Sequence, residues 1–567
     1  MLDSFGFRQA CIGLFLTGLM WVLPFLDYRH QYPLTTFDQE WSGALLGMLA
    51  AIFALLLSPD YWRNQQVPRI ARLPFALIVL VCLQYAMGRI AYFDQALLYI
   101  LYLMFALTMM LLGAQLRERL GLERIAAFLA AFLLLGAEMS AAIGLLQHFH
   151  WHTPLDAVIL NAHAVVYGNL AQPNHFADYI ALGLASLGLL FQLRKIPPAA
   201  VLTLALPLLF VMTLSGSRSS WLYLIAMIAL SWKNRIALRY CLGMLFGFFL
   251  MHLIVRLPLL AGSVTDWQRF SGEDGSGGIR LYLWHEAWLI FARFPLFGAG
   301  FGQFAWQHFL LGPELQRTLI TGLYDNAHNL IFQMAAETGI AGLTILLLSL
   351  FSWWRGMRRI ETDPARWWAY AVLAVLGVHS LLEYPLWYGY FLAIAAVLMG
   401  VLDEAKYRIR AAGFVFMGVV AGMFALYQLK AGYQEIKGAL VSASAHERDI
   451  LVSMRNRSIL SPWADFYATP YVEVNPDHLE EKLAFNGRVL RFMPVAEPAY
   501  LQAYLLAEDG KEHQARTMFE QAYWSYPDSG EKKQLAKLAD KDPAHFSSLL
   551  KFSLQTEQEY ASAIHNN

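Results

Sequence analysis

Three side chains able to hold or move charge, Arg218, Arg280 and His328, stand beside apolar and aromatic stretches. A guanidinium offers a planar set of donors that matches phosphate oxygens. An imidazole titrates near about 6.5 and suits the removal of a proton from a hydroxyl. Arg218 is the one strong cation of Ser215-Gly-Ser217-Arg218-Ser219-Ser220-Trp221, where a snorkelling arginine at a helix end is the plain structural alternative. Arg280, Trp284 and Trp288 recur at four-residue steps, as in an interfacial helix with a cation beside aromatics. His328 precedes Asn329, Gln333 and Glu337, again at four-residue steps, which form a polar stripe on one helix face. Such a stripe serves equally well as glue between helices, and a histidine at a helix start as a structural hydrogen-bonding group.

Two further clusters contain ionisable groups near apolar runs, where a charge at bilayer depth costs about 2.5–3.5 kcal/mol and is usually put to use. In Gln172-Pro-Asn174-His175-Phe-Ala-Asp178, Asn174 and His175 each share a helix face with Asp178; capping and interhelical bonding are the alternative use. The second, His379-Ser-Leu-Leu-Glu383-Tyr384-Pro-Leu-Trp-Tyr388, sets two ionisable groups among aromatics between long apolar segments. Metal chemistry is poorly represented. His148, His150 and His152 alternate but lack a carboxylate at ligand spacing, and His285-Glu286 does not open a zinc-protease motif because Leu289 holds the second histidine's place. Cys11, Cys82 and Cys241 lie in apolar runs and suggest neither disulfides nor thiolate ligands. The glycine-rich stretch 272–278 lacks the ending of a phosphate-binding loop and reads as a hinge.

The elements that must position these groups are membrane helices. Of 567 residues 57% are hydrophobic and only 15% charged, which marks an integral membrane protein. Lys plus Arg equal Asp plus Glu at 42 each, so nothing points to nucleic acid. Apolar segments at 9–26, 42–58, 73–88, 95–116, 125–147, 175–192, 197–213, 219–232, 236–257, 328–352, 367–382, 386–402 and 412–429 give about thirteen candidate spans, several of them short. Arg8 precedes the first run without a cleavage site, so a retained first helix is expected. Alternate connections carry Arg63/Arg69/Arg72, Arg117/Arg119/Arg124, Arg194/Lys195, Lys233/Arg235/Arg239, Arg355/Arg358/Arg359/Arg366 and Lys406/Arg408/Arg410. The opposite short connections carry only Arg29, Arg89 and Arg218. The basic side is the cytoplasmic one, which puts the N-terminus inside and places loop 258–327 and the tail outside. The expected fold is thus all-α and polytopic, with residues 1–429 in the membrane region and a soluble helical domain over 430–567. In that tail Ala515, Phe519, Ala522 and Pro527, with Gly510 at the turn, match half of a tetratricopeptide pattern.

Taken in order, these pieces resemble a known superfamily. Gln172-Pro-Asn-His175, Ser217-Arg218, Arg280 with Trp284 and Ala287, Pro295-Leu-Phe-Gly298-Ala-Gly300, Ala327-His328-Asn329, Glu337-Thr-Gly-Ile-Ala-Gly342 and the 379–388 stretch are similar to the bacterial O-antigen ligase and polymerase superfamily. The 379–388 stretch most resembles its PglL-type protein O-oligosaccharyltransferases, which also tend to carry an outer soluble tail. One departure is Ala171, where many relatives have glycine.

The resemblance implies a GT-C-like membrane enzyme in the inner membrane of a Gram-negative bacterium, with its active site and tail in the periplasm. It implies en bloc transfer of an oligosaccharide from undecaprenyl diphosphate to a Ser or Thr hydroxyl of an exported protein such as pilin. It further implies that Arg218 and Arg280 bind the diphosphate and His328 acts as base. Gln172, Asn174, His175, Asn329, Glu337, His379, Glu383 and Tyr384 would shape the sugar and acceptor sites, with no metal or other cofactor required. The tail's location suggests a role in placing the acceptor. Alternative readings are an O-antigen ligase acting on lipid A core, an O-antigen polymerase, a polysaccharide flippase or transporter, and a noncatalytic assembly protein. Transporters often show paired internal repeats, and no duplication between halves is evident.

Overall fold

The computed structural model describes residues 2–63, 66–160, 165–257, 276–318, 320–356, 363–408, 412–442 and 447–566. Most of stretch 272–278 and Arg358, Arg359 and Arg410 lie outside them. The described chain is almost entirely helical, and the apolar segments singled out in the sequence fall largely on helix, although 9–26 and 42–58 each span two helices and 412–429 is part of a longer helix, Ala412–Ser442, that runs into the expected tail. Among the described residues eight helices are long and apolar enough to cross a membrane, and Pro198–Leu214, Ser219–Leu230 and Gly389–Leu402 are shorter apolar helices. The helix Pro173–Gln192 carries Asn174, His175 and Asp178, and Pro364–Ser380 carries His379 in its last turn, yet nearly every residue of the first is buried. A helix covered on all sides needs no lipid-facing apolar surface, which leaves room for polar side chains with internal partners.

The chain divides into two compact units. The first comprises 1–77, 101–277 and 345–427; the second comprises 78–100, 278–344 and 428–567, so the tail shares its unit with the loop that carries Arg280 and His328.

In the first unit the helices approach through small residues. A Cβ on Gly113 would lie 2.1 Å from the Val397 carbonyl oxygen, and one on Gly400 would lie 2.0 Å from that of Met110, so Phe93–Leu120 and Gly389–Leu402 meet backbone to backbone. Tyr179 stacks on Phe25 at 4.0 Å and donates its hydroxyl to the Trp21 carbonyl at 2.8 Å. The only strands among the described residues are Gln66–Pro68 and Lys406–Arg408, paired antiparallel with Val67 opposite Tyr407.

This small sheet belongs to a polar network that gathers the basic connections. Arg69 and Arg72 lie over the Tyr407 ring, while Arg117 and Arg366 both bind Glu404, at 2.8 and 2.5 Å. Trp367 donates to Ser231, and Asn234 donates to Gln192. Each of the six basic connections therefore has a residue in, or within a few residues of, one continuous chain of contacts at one end of this unit. Gln192 and Arg366 lie at that end. At the other ends of the same helices, about 27 Å and 20 Å away at 1.5 Å per residue, stand Asn174 and His379. The polar candidate residues of this unit are consequently opposite its basic end.

In the second unit, Ala496–Glu508 and Glu512–Ser525 form an antiparallel hairpin around Gly510, which takes φ 70°. Ala515, Phe519 and Ala522 are buried in its core, and Tyr500 donates to the Tyr526 carbonyl across it. The tail also grips connection 87–94: Arg491 donates to the carbonyls of Gly88 and Arg89, and Tyr92 donates to Asp465.

Two backbone features yield stability predictions. Gly400→Ala would overpack the contact with Met110 and lower stability by about 1–3 kcal/mol, seen as a lower midpoint in thermal unfolding of the detergent-solubilised protein. Ala171 takes φ 57°, a region that costs an L-residue about 1–2 kcal/mol, which supplies the physical reason for glycine at this turn. Ala171→Gly should raise that midpoint; an unchanged or lower one would count against the left-handed turn.

Candidate functional site

Candidate residues fall into one group in each unit. In the first, Gln172 caps the helix Pro173–Gln192 by accepting the His175 amide, and Pro173 starts the helix without leaving an amide unmet. This capped first turn presents Asn174, whose Nδ2 donates to Glu383 at 2.9 Å and whose Oδ1 accepts from Ser217 at 2.8 Å. One amide thus joins three clusters separated by 43 and 209 residues in sequence. Arg218 follows Ser217 at the surface, beside a shallow cleft lined by Thr213, Ser217, Trp221, Phe248 and His252.

Behind this junction, His379 Nδ1 lies 2.8 Å from Asp178 Oδ2, both side chains fully buried. The His175 ring centre is 5.3 Å from that of His379 and meets Tyr384 and Tyr388 edge on. Glu383 and Tyr384 lie on the turn after Pro364–Ser380, with Glu383 buried and Tyr384 half-buried. That turn is held in part by Glu40, which accepts the Gly389 amide and the Tyr102 hydroxyl at 2.7 and 2.9 Å. Glu40 and His252 were not singled out in the sequence: Glu40 stands in a polar first turn with Asp38 and Gln39, His252 alone on an apolar helix, and the partners of Glu40 are visible only in three dimensions.

In the second unit the helix Leu330–Gly356 contains a non-helical residue, Gly339, with φ 62°. The break removes the helical bonds from the amides of Ile340 and Ala341 to the carbonyls of Ala336 and Glu337. The segment Pro295-Leu-Phe-Gly-Ala-Gly300 takes their places: Ile340 and Ala341 donate to Pro295 and Leu296, while Ala336 and Glu337 accept from Ala299 and Gly300. Gln84 locks the insertion, donating to the carbonyls of Phe297 and Glu337 and accepting the Phe301 amide. Nothing in the sequence marked Gln84, because its three partners lie more than 200 residues away.

The polar stripe serves the backbone around His328. Asn329 caps the helix through the amides of Ile331 and Phe332, Gln333 accepts the Ala327 amide at 2.7 Å, and buried Glu337 accepts the Phe304 amide. Asn326 accepts the His328 amide at 2.8 Å, and His328 itself is left-handed at φ 51°. A non-glycine residue persists in this region when its surroundings fix it. Arg280 lies on Ser276–Arg293, half-buried, and Trp284 one turn later stacks on Phe332 at 5.3 Å. Since Phe332 is one turn after His328, the ring stack ties the helix of Arg280 to the helix start that carries His328.

His148, His150 and His152 do not form a three-ligand cluster: His148 packs on Phe149 and Phe210, while His152 pairs with Asp156. Among the described residues Glu508, Asp542 and His545 are close enough to hold a cation, but they lie in the tail, partly to fully exposed.

Comparison with known proteins agrees with this ordering of parts. Residues 166–191 match the family described as Protein glycosylation ligase, 202–347 match O-Antigen ligase, and 367–539 match Virulence factor membrane-bound polymerase, C-terminal. A General O-oligosaccharyltransferase of Acinetobacter baylyi is 27% identical over 418 residues, 70% of this chain and 71% of the relative. A ComP-specific O-oligosaccharyltransferase of the same organism is 24% identical over 378 residues, 64% of this chain and 66% of the relative. With the 172–178 junction inside the glycosylation-ligase match, and Arg218, Arg280 and His328 inside the ligase match, the chain is similar along most of its length to PglL-type glycosyltransferases of the O-antigen ligase superfamily.

Proposed function

We propose that this chain transfers a preassembled oligosaccharide en bloc from undecaprenyl diphosphate to a Ser or Thr hydroxyl of an exported protein, with type IV pilin the first acceptor to test. The observation that carries the reading is the similarity along most of the chain to two relatives named O-oligosaccharyltransferases, with each cationic and basic candidate inside a matched segment. The six basic connections at one end of the first unit support a cytoplasmic assignment for that end by the positive-inside rule. Asn174, Glu383 and Arg218 then belong to the periplasmic side of an inner membrane crossed by about thirteen helices. The N-terminus would be cytoplasmic, and the hairpin of the tail a tetratricopeptide-like periplasmic element.

In the proposed reaction the acceptor hydroxyl oxygen attacks the anomeric carbon, and the bond from that carbon to the diphosphate oxygen breaks. The hydroxyl proton passes to His328, a contribution typically about 10²–10⁴-fold. Undecaprenyl diphosphate leaves, its growing charge met by Arg218 and Arg280. The reaction as written calls for no metal or other cofactor. Gln172, Asn174 and Glu383 shape the sugar and acceptor positions with Tyr384, whereas buried His175, His379 and Glu337, with Asn329, act through the groups they hold.

The O-antigen ligase and polymerase descriptions of two matched segments favour one second reading, the same donor chemistry with lipid A core or a growing glycan as acceptor. Reconstitution with undecaprenyl-diphosphate oligosaccharide and purified pilin separates them by intact pilin mass. The expected result is a glycan-sized gain for the wild type, reduced at least about 100-fold by His328→Ala and strongly by Arg280→Ala. Unchanged pilin together with lengthened lipid-linked glycan or modified lipid A core would establish the second reading instead. A companion series tests the Asn174 junction: Asn174→Asp, which sets a second carboxylate against Glu383, should lower the initial rate more than Asn174→Ala. Wild-type rates in both would remove the junction from the reaction.

A further inference from the structure

Outside the groups assigned above, the second unit contains a buried charged cluster at its centre. On Ser276–Arg293 the inward face is Leu283, Glu286, Ala287 and Ile290, so a carboxylate occupies a position in an apolar row. Glu286 Oε1 accepts from Arg317 Nη1 at 2.9 Å, and its Oε2 lies 2.6 Å from His308 Nδ1; all three side chains are at most 1% exposed. Burial, with help from the Arg317 charge, holds His308 below its ordinary pKa against the pull of Glu286, and its Nδ1 lies within 2.7 Å of Arg317 Nη1 as well as beside the carboxylate. The cluster is charge-balanced, one anion against one cation.

Its fourth member comes from the tail. Arg317 Nη2 donates to the Ser525 hydroxyl at 3.4 Å, and the Ser525 carbonyl accepts the Gly322 amide at 2.8 Å. The helix Phe304–Leu311, which supplies His308, bridges the same parts: Phe309 is buried with Leu490, Tyr500 and Phe519 of the tail, while Phe304 and Leu311 are buried with Leu283 and Ala287. Arg280 lies six residues, about 9 Å along the axis, before Glu286 on a continuous helix.

We propose that Glu286, His308 and Arg317 are positioning residues through which the tail, at Ser525, fixes the helix bearing Arg280, so that the tail governs binding of the lipid diphosphate. This rests on the transferase reading and deepens it: the tail acts on the donor, a role distinct from placing the acceptor. Charge pairs buried in this way are strongly orienting, since neither partner can leave the other in an apolar surround. The full-length protein in nanodiscs, supplied with undecaprenyl-diphosphate oligosaccharide and pilin, provides the test. Glu286→Gln, Arg317→Lys, Ser525→Ala and the apolar pair Glu286→Met with Arg317→Met are compared by donor KM, acceptor KM, kcat and thermal unfolding.

The expected result is a donor KM about tenfold higher in the apolar pair and two- to threefold higher in Ser525→Ala, with kcat falling in the same order, acceptor KM within twofold of wild type and partial recovery in Arg317→Lys relative to the pair. Ser525→Ala removes one weak contact and leaves the ion pair intact, so it reports even where the pair variant does not fold. Unchanged donor KM in folded variants, or a rise confined to acceptor KM, overturns the inference while leaving the transferase reading in place. A wild type that transfers nothing to protein overturns the transferase reading itself.

Discussion

A polar group withdrawn from water must find a partner, and the arrangement of both units follows from how this chain meets that requirement. In the first unit one side-chain amide, Asn174, satisfies Glu383 and Ser217 together and so fixes the turns that carry the 217–218 and 383–384 residues. In the second, the donors and acceptors exposed by the break at Gly339 are met one for one by the 295–300 segment and clamped by Gln84. Removing one member of the Glu286–Arg317 pair would strand a buried charge, at a cost of about 3–5 kcal/mol. These bonds are distributed among groups far apart in sequence, so satisfying them also selects the fold.

Glycine and proline make the close approaches possible. A side chain on Gly298 would lie 2.1 Å from the backbone of Glu337, and one on Gly339 would lie 2.6 Å from the Pro295 carbonyl, so the insertion requires that neither residue have a Cβ. A broken helix is tolerated within apolar surroundings when its freed groups are satisfied by neighbouring protein. Here the freed groups are satisfied and the helix start is re-aimed, which couples a packing solution to the placement of His328.

Much of this was legible in the sequence, and the reason differs by feature. Long apolar runs declare helices because little else can bury so many consecutive hydrophobic residues, and the runs did fall largely on helices. The six basic connections could be grouped because their alternation along the chain is itself periodic, and the contacts through Glu404, Tyr407, Ser231 and Gln192 bring them to one end. The 172–178, 217–218 and 379–388 clusters stood out because polar residues are conspicuous near apolar runs. Gln84, Glu40, His308 and Arg317 did not, since an amide or charge gains meaning only from partners that folding supplies. The stripe Asn329, Gln333 and Glu337 was recognisable by spacing, but not its use: helix periodicity shows which side chains share a face, and does not show that they turn to backbone amides of an inserted loop.

The same reasoning bears on why the two groups of the second unit assigned to the proposed reaction would work at fixed geometry. Arg280 is on a long flexible side chain, and His328 is at a helix start where fraying is the ordinary tendency. The Trp284–Phe332 stack joins their helices one turn from each group, Asn326 and Asn329 hold the backbone around His328, and the Glu286–Arg317 pair anchors the Arg280 helix on its inward face. Each restraint acts on backbone or on a neighbouring ring. Catalytic advantage from a charged donor or a base depends on its being in place before the transition state forms, because reorganisation during the reaction adds to the barrier. In the proposed reaction the buried polar contacts of this unit are therefore part of the chemistry, because they settle the orientation of Arg280 and His328 in advance.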